Sequence, residues 1–60
     1  MNGAKVIDWE TREIYRVSHF QVSEIIDTPD IVKRTDSDGR TVYDIYRYGD
    51  RLPHMTVLVD

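Results

Sequence analysis

Apolar and polar positions alternate along much of this chain instead of recurring every three or four residues. From Arg12 to Val22, an extended backbone places Ile14, Arg16, Ser18, Phe20 and Val22 on one side and Tyr15, Val17, His19 and Gln21 on the other. A helix over the same span would align Ile14, Val17 and Gln21, which is a poorer apolar stripe. The β-branched and aromatic content points the same way, so the segment is predicted as a strand. Ala4 to Trp9 predicts another, turning near Asp8 to Thr11.

The sharpest local signal is Thr35 to Arg40, TDSDGR, between the β-rich runs Ile31 to Thr35 and Arg40 to Tyr48. Gly39 takes positive φ without steric cost and the aspartates bond nearby amides, so Asp36 to Gly39 is predicted to close a hairpin. Gly49-Asp50 and Leu52-Pro53 mark the next reversal, and His54 to Val59 supplies a third strand of a meander.

Ser23 to Arg34 reads two ways. Thr28-Pro29-Asp30 suits a helix start, with threonine as N-cap and proline in the first turn. An extended form with Pro29 bending an edge is preferred, because Ile31 and Val32 continue into the hairpin. The predicted fold is mainly β: a small antiparallel sheet or small barrel of four to five strands, with one short helix near residues 23–34 as the alternative.

The strand Arg40 to Tyr48 is apolar on both sides, with Val42, Tyr46 and Tyr48 on one and Tyr43 and Ile45 on the other. A sheet with one wet face does not need this. Either a strongly curved small barrel or a sheet whose second face meets a partner accounts for it.

Sixty residues make one domain, and residues 1–3 are expected to fray. With no cysteine, disulfides and thiolate zinc sites are excluded, so packing or self-association must supply the stability. Apolar residues at 40% and charged residues at 32% place the chain in the folded class. No stretch approaches the roughly 20 apolar residues of a membrane-spanning helix. The opening MNGAKVIDWE is unlike a secretory signal, and a cytoplasmic setting is expected. Eight basic against eleven acidic residues, a net charge of −3, argue against gripping duplex nucleic acid by phosphate neutralisation.

Candidate chemistry is sparse. His19 and His54 lie in no metal-type spacing, and Ser18 and His19, adjacent in a predicted strand, point to opposite faces and make no nucleophile and base pair. Asp36-Ser37-Asp38-Gly39 resembles part of a calcium loop, but Arg34 stands at the first ligand position and no glutamate closes the loop. Neither cofactor, metal nor enzymatic activity is expected.

The remaining signal is the cluster Tyr43, Tyr46, Tyr48, Arg47 and Arg51. Tyrosine and arginine are enriched at interface hot spots. The set containing Ile45 is the better core candidate, which leaves Tyr46 and Tyr48, with Arg47 and Arg51 at the strand end, as the expected partner-binding surface. Asp44, on the same face, is placed to answer a basic partner.

These features point to a small protein-interaction module, an inhibitor or adaptor that binds a larger protein or complex through one sheet face or an exposed edge. In size, mild acidity and two-sided strands the chain resembles the general character of small phage-encoded inhibitors of host machinery, including inhibitors of nucleic-acid-targeting defence complexes. That likeness is one of composition, with no shared motif. Two alternatives stand beside it: a small barrel that binds single-stranded nucleic acid with its tyrosines and arginines, and a structural or regulatory homodimer.

Overall fold

A computed structural model describes residues 3–60, and the expectation for residues 1 and 2 lies outside them. Five strands and one helix follow in the order β1 (Gly3–Asp8), β2 (Glu13–Ser18), α1 (His19–Ile25), β3 (Ile31–Thr35), β4 (Thr41–Ile45) and β5 (Met55–Val59). The strands form one open antiparallel sheet in the order β2-β1-β5-β4-β3, so the sheet does not close into a barrel.

The predicted hairpin is present. Asp36 N–H donates to the Arg40 carbonyl and Gly39 N–H to the Asp36 carbonyl, while the Asp36 carboxylate accepts from the amides of Asp38 and Arg40 at 2.9 Å each. Gly39 has φ +81°, the conformation in which a Cβ is costly. β5 then returns beside β4, completing the meander. Gly3 is the buried first residue of β1, and its carbonyl accepts the Asp60 N–H, so fraying is corrected at this residue.

The strand expected over Arg12 to Val22 ends at Ser18, four residues early. Ser18 caps α1: its hydroxyl accepts the Gln21 N–H, and the Gln21 side chain accepts the Ser18 N–H in return. This reciprocal capping box satisfies two amide donors that an extended chain would have to pair elsewhere. It also separates Ser18 and His19 by function, one a cap and the other the first helical residue, so the reading of them as strand neighbours is corrected. The single short helix therefore lies at residues 19–25. Thr28-Pro29-Asp30 starts no helix and instead bends the chain into β3.

Val22 is the buried residue of α1, and Ile25 and Ile26 join it at helical spacing against the sheet. Ala4, Val6 and Val57, each fully buried, and Ile45 complete the core, with Val17, Ile31, Tyr43, Met55 and Val59 packed around it. In register these are one side of the sheet: Ala4 pairs with Val17 and Val59, Val6 with Val57, Val57 with Tyr43, and Ile45 with Ile31 and Met55. Tyr43 and Ile45 face the helix as expected, and Val42 and Asp44 face away.

β4 ends at Ile45, three residues before the expected end at Tyr48. Tyr46 N–H still reaches the Asp30 carbonyl at 2.8 Å. Beyond it Asp50 N–H closes a turn onto the Arg47 carbonyl, with Gly49 at φ +86°. Among the described residues no helix is long and apolar enough to cross a membrane.

Candidate docking face on the sheet

α1 covers only one side of the sheet. The opposite side is built of two cross-strand rows that the register defines. The first runs Ile14, Ile7, Thr56, Asp44, Val32, and the second Arg16, Lys5, Leu58, Val42, Arg34. Its middle is well packed: Val42 is 1% exposed, Thr56 4% and Asp44 8%. Its margins are not, since Ile14 is 64% exposed and Val32 49%.

Trp9 extends this face beyond β1. Its backbone N–H donates to the His54 carbonyl at 3.0 Å, continuing the ladder, and its indole Nε1–H donates to Thr56 Oγ1 at 2.7 Å. The ring is thereby held in one orientation while half of the residue stays exposed. Trp9, Ile7, Ile14 and Arg12 line a depression of about 360 Å³.

A polar chain runs beneath these groups. The Thr56 hydroxyl that accepts from Trp9 donates to Asp44 Oδ1 at 3.0 Å, and Arg34 Nε donates to Asp44 Oδ2 at 2.7 Å. The Arg34 hydrogen bond, with that of Thr56 and the guanidinium charge, holds the Asp44 carboxyl below the usual carboxylate range against the opposing effect of burial. Reciprocally, Asp44 raises the affinity of Arg34 for its proton. Each member of the chain meets a partner, as buried polar groups require.

Of the expected partner-binding residues, Asp44 is in β4 and the other four lie in the segment after it, where Tyr46 and Arg47 line one depression. Asp44 lies on the helix-free face but is buried and already paired, with little left to offer a partner. Tyr46 sits just beyond β4 and lines a second depression with Val32 and Pro29. Tyr48, 93% exposed, and Arg51 belong to the loop after β4. Arg47 turns to Glu10 in the β1–β2 turn and forms a bidentate ion pair with it. His54 has a buried Nδ1 without a hydrogen-bond partner, and among the described residues no three His, Cys, Asp or Glu side chains converge on a metal-sized site.

Sequence reasoning did not single out Trp9, Ile7, Ile14, Leu58 or Thr56. The usable signal was the odd-numbered side of β1, Lys5, Ile7, Trp9, whose apolar members match no core requirement once Ala4 and Val6 are taken as core. No protein-family model matches the chain, and no curated protein or solved structure is significantly similar to it.

Proposed function

We propose that this protein is a small protein-interaction module, an inhibitor or adaptor acting in the cytoplasm, which docks on a larger protein through the helix-free face of its sheet. The observation that carries this reading is Trp9: a large side chain, half exposed, pinned by Thr56 at the edge of an aliphatic surface. Pre-orienting an aromatic anchor lowers the entropy lost on binding, and such anchors dominate interface energetics. Ile7 and Ile14 flank it, and Leu58 and Val32 lie farther along the same face, together giving the apolar contact area that a protein partner uses. The polar chain from Trp9 to Arg34 serves position rather than chemistry, since its donors and acceptors satisfy one another.

The experiment is capture of a discrete protein from nuclease-treated host extract, comparing Trp9→Ala and Ile14→Asp with Tyr46→Ala and Tyr48→Ala. Docking through the helix-free face predicts that Trp9→Ala costs roughly 2 kcal/mol or more of binding with the fold intact. Loss confined to the Tyr46 and Tyr48 variants would move the interface to the loop after β4.

A further inference from the structure

The helix-free face is basic on an acidic protein. It carries Lys5, Arg16 and Arg34 on its strands and Arg12 at the lip of the Trp9 depression, against Asp44, Asp60 and, beside Arg34, Asp36. The whole chain has eight basic and eleven acidic residues, so acid is concentrated on the other surfaces. Asp44 is consumed by Arg34, and Asp60 pairs with Arg16. Among the described residues, Lys5 and Arg12 form no ion pair.

Two local features run against the stability of the isolated protein. Lys5 stands directly opposite Arg16 across β1 and β2. Like charges at such positions are destabilising, and Asp60, which pairs with Arg16, offsets the repulsion without giving Lys5 a partner of its own. Arg12 has φ +65°, a left-handed conformation that glycine or asparagine adopts at lower cost. In both places a cation is kept where folding alone favours something else, and both cations border the apolar patch of Ile7, Trp9 and Ile14.

Resting on the docking role of this face, we propose that its partner is an acidic protein segment, which inserts an apolar side chain into the depression beside Trp9 and sets carboxylates against Arg12 and Lys5. Charge complementarity selects this occupant over a second copy of the chain. A two-fold dimer through the face would bring the same basic patch against itself. It also selects protein over single-stranded nucleic acid, because neither cross-strand row of the face carries an aromatic ring, whereas base stacking needs a track of them. An acidic segment supplies Lys5 and Arg12 with the counter-charges they lack, so the charges favour the complex over the free protein.

The test is selection of a random 15-residue peptide library on the full-length protein, followed by titration of the chosen peptides with the emission of Trp9, the chain's one tryptophan, as the readout. The expected peptides are net acidic with at least one large apolar residue. They shift Trp9 emission to the blue, bind more weakly as salt rises, and lose at least about tenfold in affinity against a Lys5→Glu, Arg12→Glu double variant of unchanged thermal stability. Neutral Lys5→Gln and Arg12→Gln changes serve as the second variant if the reversal perturbs folding, with a smaller loss expected. Peptides that shift Trp9 yet show no acidic bias and ignore both variants would overturn the acidic-partner proposal and leave docking through this face standing. Peptides that leave Trp9 unchanged, or a selection that returns none, would overturn both. Tighter binding of an oligothymidine, or a blue shift that grows with protein concentration alone, would replace the acidic segment with nucleic acid or a second copy.

Discussion

Thr56 and Asp44 face each other across β5 and β4, and the Thr56 hydroxyl joins the buried Asp44 carboxylate to the Trp9 indole by donating to one at 3.0 Å and accepting from the other at 2.7 Å. One hydroxyl thus connects the charge balance of the sheet to the orientation of the half-exposed Trp9 ring.

Thr56→Val keeps the shape of this side chain and removes both hydrogen bonds. We expect a loss of about 1–3 kcal/mol in urea unfolding, since Asp44 loses a donor within the sheet and Trp9 an acceptor. The same variant should show easier acrylamide quenching of Trp9. Unchanged quenching would mean that packing, and not Thr56, holds the ring.

Two carboxylates link stability to acid. Asp44 is held below the usual range chiefly by the Arg34 hydrogen bond, and Asp36 chiefly by the backbone amide of Arg40. Because their folded-state values lie below the unfolded value of about 3.9, their stabilisation is complete above that pH and is lost as pH falls through the folded values. Thermal unfolding should therefore be nearly constant from neutral pH to about 5 and decline below about 4. Asp44→Asn should be less stable at neutral pH and show a shallower decline. A variant as acid-sensitive as the parent would remove Asp44 from the explanation.

Gly39→Val should destabilise the hairpin by about 1–3 kcal/mol. A Cβ at this position meets nothing within 4 Å, so the cost is conformational and follows from φ +81°. Gly39→Asn, which tolerates the left-handed region, should cost less. Equal losses in the two variants, measured by denaturant titration, would contradict a backbone origin.

Ser18→Ala removes the cap of a helix only seven residues long. About 1 kcal/mol should be lost. Ser18→Asp, which retains an acceptor for the Gln21 amide, should stay near the parent. Far-ultraviolet circular dichroism of the alanine variant should lose helical signal before the sheet unfolds.

Much of this architecture is local, and local features were readable. The turn at Asp36 to Gly39 is specified by side chains that bond their own backbone and by a glycine that accepts positive φ, so it needs no distant partner. The division of β4 into a core side, Tyr43 and Ile45, and an outward side, Val42 and Asp44, follows from the period of two in a strand. α1 was hidden because Ile14 to Val22 alternates like a strand, and a helical stripe counted from Ile14 starts in the wrong place. The signal that overrules the alternation is Ser18 with Gln21 three residues on, a capping box followed by Val22, Ile25 and Ile26.

What the chain determined by itself, then, was a β-rich class, a meander from Ile31 to Val59 and an excess of apolar positions over what one sheet face can bury. Tertiary structure decided the rest. Pairing β1 with β5 joins residues as far apart as Ala4 and Val59, and no local pattern encodes that choice. It brings Trp9 to Thr56. Adjacency in sequence placed the candidate site in the strand Arg40 to Tyr48. Adjacency across the sheet gathers the basic and apolar surface around Trp9, because neighbouring strands bring side chains within about 5 Å of one another whatever their separation along the chain.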